Sequence, residues 1–327
     1  LCKGLDKKKY NIIVFCLSNN KHPWGHRIID LGVKVIFISR VSRFDIFRII
    51  KLSINFYTVS PDIIVSSLHT ANVYSGLALM LYQKPVKYLA QIRSKEDNFS
   101  LINQYLNIYS FNMADKIITN TKLLIPFIID YYRQSNDKII EISNAVSIKR
   151  SNVKINSDGK INIGIIGKDT EAKNIDLFIH LAIRILNEGK DVFFHLCGRG
   201  LNDTSRFKKN IPNKYKNKVI FYGELDSTKE FYDKVDIFLL TSISEGFPNV
   251  LLEAMSYGLP VISSNVGGVP DLIKHRENGL IFESNDLESL YKNVVTLMSD
   301  KYMREKFSKN GIDTIKERFR YESMIDN

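Results

Sequence analysis

Short apolar runs rich in β-branched residues alternate with helical patterns along the whole chain. The first half contains six such runs, namely Asn11–Leu17, Lys34–Ile38, Asp62–Ser66, Val86–Ala90, Lys116–Thr119 and Lys138–Ile142. The second half contains six more, namely Ile161–Gly167, Val192–Gly198, Val219–Gly223, Asp236–Thr241, Pro260–Ser263 and Gly279–Phe282. Because a continuous apolar run is typical of a strand buried on both faces, we predict parallel sheets with helices packed on either side.

A polar segment, Ser143–Lys160, separates the two series and indicates a linker, since it carries Asp-Gly near its end. We therefore predict an α/β protein with two doubly wound Rossmann-like domains that face each other across a cleft. The first domain is predicted over residues 1–150 and the second over residues 151–312. A last helix, at about 313–327, is predicted to pack back on the first domain. Ligands of such sheets bind beyond the carboxyl ends of the strands, so the site is expected there.

The composition is that of a globular protein with a large core. The chain has 327 residues, of which 44% are hydrophobic and 25% charged. No apolar stretch reaches the roughly 18 residues that a membrane-spanning helix needs. The three cysteines, Cys2, Cys16 and Cys197, lack the spacing of metal ligands. We interpret them as reduced thiols, which favours a cytoplasmic protein.

Positive charge is concentrated in the first part of the chain. Residues 1–150 carry 21 Lys and Arg against 10 Asp and Glu, whereas the remaining residues carry 25 of each. This asymmetry favours an anionic partner such as a phospholipid surface or a lipid diphosphate acceptor, although a merely solvated lysine-rich surface explains it equally well. Nucleic acid is disfavoured, because no recognisable module interleaves these charges with aromatic residues.

The segment Arg40–Tyr57 alternates basic and apolar residues and is predicted to be helical. One hypothesis is that this helix lies on an anionic membrane surface. The other, which we favour, is a helix packed on the core of the first domain with its charges outward.

The most informative stretch is Asp236–Pro260, where a strand leads into a loop and then into a helix that begins near Pro248. Glu245 lies in the loop, and Glu253 lies about a turn and a half inside the helix. The two carboxylates therefore suit two parts of one elongated ligand: Glu245 the hydroxyls of a sugar, Glu253 those of a ribose. The unpaired amides at the helix start suit a diphosphate. Each glutamate taken alone is also compatible with an ordinary surface residue.

The segment SEGFPNVLLEAMSYGLPVISSNVGGVPDLI, residues 244–273, resembles the donor-site signature of the retaining family-four glycosyltransferases, which have the two-domain GT-B fold. The resemblance implies that Glu245 contacts the donor sugar and that Glu253 holds the ribose. It also implies that the intervening backbone faces the sugar and phosphates, at Gly246, Phe247, Asn249 and Val250.

Further segments resemble the same family. In IGIIGKDTEAKNI, Lys173 takes the place of the family lysine that contacts the diphosphate, and Lys168 replaces the usual arginine. Gly198 and the pair Gly223 and Leu225 resemble the nucleotide-side and base-contacting loops. The alternative for the two lysines is a solvated loop charge, and the alternative for the glycine loops is a tight turn that binds no ligand.

In the first half, His69 follows the strand DIIVS and Arg93 follows the strand next along the chain. The resemblance implies that His69 lies near donor and acceptor, and it makes Arg93 a candidate contact for the acceptor or a phosphate. A merely structural histidine is the alternative. Glu245, Lys173 and His69 are thus the candidate catalytic residues.

The resemblance implies a retaining, metal-independent hexosyltransferase that moves a sugar from a nucleotide-sugar donor, taken as a UDP-sugar, to a glycan or lipid-linked acceptor. The expected setting is bacterial surface polysaccharide biosynthesis, at the inner face of the plasma membrane. No cofactor or metal is expected, since Asp-x-Asp and clusters of His and Cys are absent from the sequence. Two alternatives stay open, a nucleotide-sugar epimerase and a truncated non-catalytic binding protein. The second is favoured by the family's first strand and glycine-rich loop, which we do not find before Asn11.

Overall fold

The computed structural model describes residues 2, 4–18, 23–39, 45–95, 99–149, 160–202 and 204–326. The chain forms two compact units, one of Leu1–Ser143 with Met324–Asn327 and the other of Asn144–Ser323. The division at Ser143 lies near the limit predicted at residue 150.

The first unit alternates strands and helices along the chain. Its elements are β1 (Ile13–Cys16), α1 (Pro23–Asp30), β2 (Lys34–Phe37), α2 (Ile46–Val59), β3 (Ile63–Ser67), α3 (His69–Leu81), β4 (Lys87–Ile92), α4 (Leu101–Met113), β5 (Lys116–Thr119), α5 (Leu124–Tyr132) and β6 (Ile139–Glu141). Strands β1 and β2 form one parallel sheet, and β3-β4-β5-β6 form another. The six strands coincide with the six predicted runs.

The prediction that strands are covered on both faces is wrong for β3. Ile64 and Ser66 are buried, but Ile63 and Val65 on the opposite face are 52% and 48% exposed. Strand β3 pairs only with β4 among the described residues, so it is an edge strand. An apolar run therefore marks a strand here without marking two buried faces.

The second unit begins at the linker and contains the longer sheet. Its elements are β7 (Ile161–Ile166), α6 (Ile175–Asn187), β8 (Val192–Cys197), β9 (Val219–Gly223), α7 (Lys229–Lys234), β10 (Ile237–Leu240), α8 (Asn249–Ser256), β11 (Val261–Ser264), α9 (Val269–Leu272), β12 (Leu280–Phe282), α10 (Leu287–Ser299), α11 (Lys301–Arg318) and α12 (Tyr321–Asp326). The parallel order is β12-β11-β10-β7-β8-β9. Strand order therefore reverses between β7 and β10, which is a topological switch point.

Both faces of this sheet are buried, as predicted. On β10, Ile237 and Leu239 enter the core cluster that also contains Phe178. Phe238 and Leu240 enter the opposite cluster, together with Leu251. Because successive side chains of a strand point to opposite faces, one apolar run contributes to the hydrophobic cores on both sides of the sheet.

The described part of the linker packs with the second unit. The Val146 amide donates to the Phe319 carbonyl at 2.9 Å, and the Lys149 amide donates to the Ser256 carbonyl at 3.0 Å. Residues 150–159 of the predicted linker lie outside the described residues. The helix predicted at about 313–327 is two helices. Helix α11 packs in the second unit, where Ile315 joins the core cluster that contains Leu251, whereas Met324–Asn327 group with the first unit.

Helix α2 corresponds to the described part of Arg40–Tyr57; residues 40–44 of that segment lie outside it. As predicted, one face packs on the core, through Leu52 and Phe56. The prediction of an outward charged face is wrong, because the outward side chains are mostly apolar. Arg48 instead is buried, with its guanidinium 5.1 Å from the Tyr74 ring centroid, where the ring face attracts a cation. Nowhere in the described residues does a helix have both the length and the apolar character to span a bilayer.

Candidate functional site

The loops that follow β7 and β10 meet at the switch point of the second unit. The Ile243 amide donates to the Ala172 carbonyl at 2.8 Å. The Thr241 hydroxyl lies 3.1 Å from the Lys173 carbonyl and 3.0 Å from the Asn174 carbonyl. These bonds fix the two loops to each other and thereby fix the side chains that they carry.

Lys173 and Glu245, from these two loops, form an ion pair. Lys173 Nζ lies 2.5 Å from Glu245 Oε1, and the Ser242 hydroxyl donates to the same oxygen at 2.6 Å. The glutamate side chain is 10% exposed and the lysine side chain 26%. Glu245 Oε2 has no protein partner in the described part of the chain. The structure therefore joins two predicted site residues and leaves one carboxylate oxygen for a ligand.

The loop after β11 packs against the backbone of Glu245 and Gly246. Gly267 has φ +50°, and a Cβ there would lie 2.1 Å from the Glu245 carbonyl oxygen. The next amide, of Gly268, donates to the Gly246 carbonyl at 2.7 Å. A side chain at position 267 would thus displace the loop that carries Glu245.

Helix α8 starts directly after this loop, as predicted, with Pro248 as its N-cap. Backbone amides of Phe247, Asn249 and Val250 find no acceptor among the described residues, as expected for the start of a helix. The Phe247 side chain is 7% exposed and contacts Phe319, so its backbone alone is available to a ligand. The Asn249 side-chain carbonyl accepts from Asn144 Nδ2 at 2.7 Å.

Glu253 lies in the second turn of α8, half-buried, and contacts a tyrosine. The Tyr232 hydroxyl lies 3.0 Å from Glu253 Oε2, and the tyrosine itself is fully buried. Burial raises the pKa of Glu253, while the Tyr232 hydrogen bond and the charge of Lys149 act to lower it. Burial and the neighbouring Glu253 raise the pKa of Tyr232 well above its usual value, so the phenol stays protonated.

Three glycines meet at the carboxyl ends of β7, β8 and β9. The Gly198 amide donates to the Gly223 carbonyl at 2.7 Å. Gly198 has φ +132°, and a Cβ on it would lie 1.8 Å from the Gly167 carbonyl oxygen. The structure therefore brings Gly198 and Gly223 together, with Leu225 half-buried beside the core. Lys168 is exposed in the neighbouring loop.

His69 and Arg93 line one pocket in the first unit, at the carboxyl ends of β3 and β4. The His69 ring stacks on Phe99 with centroids 4.0 Å apart, and its Nδ1 contacts the side-chain amide of Asn107. Arg93 is exposed and donates to Gln91 Oε1 at 3.2 Å. The structure thus places the two predicted residues together, and their roles stay predictions.

The sequence did not identify two residues that position the site, Ser242 and Tyr232. Ser242 stands three residues before Glu245, and its place in the same loop was the signal that could have found it. Tyr232 precedes Glu253 by 21 residues on another helix, and no sequence spacing connects them. Gly267 is recognisable as a turn glycine, but its contact with Glu245 requires the fold.

The chemistry of this arrangement suits a ligand with an anionic centre and hydroxyl groups. The Lys173 ammonium and the amides that open α8 can bind phosphate oxygens, and the carboxylates can accept from hydroxyls. No group of three or more His, Cys, Asp or Glu side chains that could hold a metal occurs within the described ranges. The predicted absence of a metal and of a cofactor stays a prediction.

Two Rossmann-like units, one with a lysine–glutamate pair and free helix amides at its switch point, define an α/β protein of the GT-B fold class. The chain belongs to the glycosyl transferases group 1, because the model of that family matches residues 147–314. The model of Glycosyltransferase Family 4 matches residues 1–150. Family and fold class therefore agree with the predictions from sequence.

Individual relatives are distant. A glycosyltransferase of Methanocaldococcus jannaschii is 26% identical over 238 residues, which are 68% of this chain and 60% of that protein. The capsular polysaccharide biosynthesis glycosyltransferase CapM of Staphylococcus aureus is 24% identical over 300 residues, 84% of this chain and 77% of CapM. The crystal structure of Anabaena HepE in complex with UDP has a TM-score of 0.81 at 17% identity, covering 96% of this chain and 89% of HepE.

Proposed function

We propose that this glycosyltransferase moves a sugar from a UDP-sugar to a glycan or lipid-linked acceptor in surface polysaccharide biosynthesis, with retention at the anomeric carbon. The observation that carries the proposal is the contact of Lys173 with Glu245 at the switch point, beside the free amides of α8. The names of two similar proteins add support, since CapM acts in capsular polysaccharide biosynthesis and HepE has been crystallised with UDP-glucose.

The donor is proposed to lie across this site in a fixed direction. Its diphosphate meets the Lys173 ammonium and the amides of Asn249 and Val250, which supply positive charge where the leaving group gains negative charge. Glu245 Oε2 accepts from the sugar, and Glu253 accepts from the ribose hydroxyls. Gly198, Gly223 and Leu225 border the nucleotide, and Lys168 adds a second cation. The proposed rate enhancement therefore arises from positioning and electrostatics.

Acceptor binding is proposed for the pocket of the first unit. His69 is held by the Phe99 ring and the Asn107 amide, so its imidazole has a defined orientation. The Arg93 guanidinium offers donors to a phosphate or to hydroxyl groups.

Sugar transfer is tested with UDP-sugars and an extract of lipid-linked oligosaccharides, and the product anomer is assigned by NMR coupling constants. The expected result is a product whose anomeric configuration equals that of the donor; inversion would contradict the mechanism. Incubation of UDP-N-acetylglucosamine alone tests the two alternatives. A new UDP-sugar epimer would favour the epimerase, and binding without transfer or hydrolysis would favour a non-catalytic binding protein.

We also propose that the first unit contacts an anionic membrane surface through the outward face of α2. Five large apolar side chains on this face are exposed between 42% and 64%, and they span an arc of about 100° on the helix. They are Ile46, Phe47, Ile50, Ile54 and Tyr57.

The charges around this face suit anionic lipid. Helices α2 and α3 contain no acidic residue. Lys51 is exposed on the same side, and Lys84 Nζ lies 5.6 Å from the Tyr57 ring centroid. An exposed apolar stripe bordered by lysines is typical of helices that lie in the membrane interface.

Vesicle flotation tests this contact. Ile54→Glu is expected to reduce flotation with phosphatidylglycerol vesicles at low salt about tenfold, because it places a charge in the stripe. The matched control is Ile102→Glu on α4, whose side chain is 73% exposed outside the stripe. Equal flotation of both variants, or none of the wild type at low salt, would rule the contact out.

A further inference from the structure

Tyr232 of α7 lies behind Glu253 and is fully buried. Its hydroxyl is 3.0 Å from Glu253 Oε2 and 3.3 Å from the Val250 carbonyl oxygen. Its ring stacks on Tyr257, with centroids 4.8 Å apart and planes 22° from parallel. Stacking and burial together fix the direction from which the hydroxyl approaches the carboxylate.

This contact leaves the two carboxylate oxygens of Glu253 in different situations. Because Tyr232 stays protonated, its O–H donates to Oε2, the charged acceptor and the nearer of its two neighbours. Oε1 accepts no hydrogen bond from any residue in the described part of the protein. One oxygen is thus tied to the core, and the other is left for a ligand.

We propose that Tyr232 is a positioning residue, which holds Oε2 of Glu253 so that Oε1 is presented to the ribose of the donor. This inference rests on the proposed function, in which Glu253 accepts from ribose hydroxyls. A carboxylate that accepts from a vicinal diol must be ionised and correctly rotated. Tyr232 contributes to both, because its hydrogen bond fixes the rotation and favours the charged form.

Within the residues that the structure describes, two titratable groups act on Glu253. Tyr232 approaches from α7 and Lys149 from the linker segment, and both favour the ionised carboxylate against burial. Tyr257 and Cys197 act on Tyr232. Removing the Tyr232 hydroxyl is therefore expected to raise the pKa of Glu253 further, which moves the acid limb of donor binding to higher pH.

Titration calorimetry on the full chain tests the inference by measuring nucleotide binding. The nucleotide used is whichever of UDP, GDP and ADP raises the unfolding temperature of the wild type most. Tyr232→Phe is expected to weaken binding about tenfold at pH 7, the effect of losing a hydrogen bond to a charged group. Weakening should increase as the pH falls, and KM for the donor should rise with little change in kcat. Tyr291→Phe is the matched control, since it removes a tyrosine–glutamate hydrogen bond of 2.8 Å, to Glu188, at the surface.

The double variant separates a positioning role from a structural one. In a Glu253→Gln background, Tyr232→Phe should add little further loss, because the carboxylate through which it acts is gone. The inference is overturned, while Glu253 keeps its role, if Tyr232→Phe weakens nucleotide binding as much in the Glu253→Gln background as in the wild type. It is also overturned if Tyr232→Phe does not shift the pH dependence of binding. If Glu253→Gln itself binds nucleotide like the wild type, or if none of the three nucleotides binds, the proposed function fails.

Discussion

At the scale of single residues, the pair of Lys173 and Glu245 dominates the site. Lys173→Ala removes the cation proposed for the diphosphate and leaves the Glu245 carboxylate, among the described residues, with only the Ser242 hydroxyl as a partner. We expect kcat/KM to fall by a factor that corresponds to about 2–4 kcal/mol, as for the loss of one donor to a developing anion. Steady-state transfer assays measure it, with Lys168→Ala as the milder comparison. Turnover of Lys173→Ala near that of the wild type would remove this residue from the mechanism.

His195 is expected to make the stability of the fold depend on pH. Its Nδ1 lies 3.0 Å from the Tyr222 hydroxyl and its Nε2 lies 2.9 Å from Asn162 Oδ1. Burial, with the charge of Lys234, lowers its pKa from 6.5 to about 4. The unfolded chain takes up the proton first, so this contribution to stability is complete above pH 6.5 and is lost as the pH falls towards 4.

The loss due to His195 is expected to reach about 3 kcal/mol at the acid end of this window. Urea unfolding at several pH values measures it against His195→Gln, which cannot titrate. Parallel curves for the two proteins would contradict the assignment.

At the scale of elements, the loop after β11 is expected to control the loop of Glu245. Gly267→Ala should abolish donor binding and lower the unfolding temperature, because its Cβ would lie 2.1 Å from the Glu245 carbonyl oxygen. Gly189→Ala is the matched control: φ is +75° there too, but nothing lies within 4 Å of its Cβ. The control should lose about 1 kcal/mol from backbone strain and still bind nucleotide, as thermal shift can show. Normal binding by Gly267→Ala would mean that the loop tolerates displacement.

The elements of the fold were predictable because strand and helix patterns are local. Twelve apolar runs became twelve strands, and α8 starts after Pro248 as its proline and loop indicated. Which side chains of α2 are buried and which are exposed was not predictable. The sequence does not show that Arg48 is buried beside Tyr74 while Phe47 points outward. Likewise, Lys173 and Glu245 were each identified from a different sequence motif. Their direct contact, and the support of Glu253 by Tyr232, depend on the sheet order.

At the scale of the whole molecule, the two units divide the chemistry. The second unit carries the lysine–glutamate pair, the helix amides and Glu253 in the loops and the helix that follow strands β7 and β10 of one parallel sheet. The first carries the pocket of His69 and Arg93 and the apolar face of α2, in the part of the chain with the excess of positive charge. The proposed donor and acceptor roles follow this division.

From the same division we predict that nucleotide binding needs no metal ion. The positive charge for a diphosphate is proposed to come from Lys173, Lys168 and the start of α8, so UDP binding should not require Mg²⁺. Saturating UDP at about 100 times its Kd should stabilise the folded state by about 2.7 kcal/mol. Thermal unfolding with UDP in EDTA, and again with added Mg²⁺, measures this effect, and uridine is the control that lacks the diphosphate. A stabilisation that disappears in EDTA would show that the chain alone does not neutralise the diphosphate, and equal stabilisation by uridine would show that the phosphates are not bound.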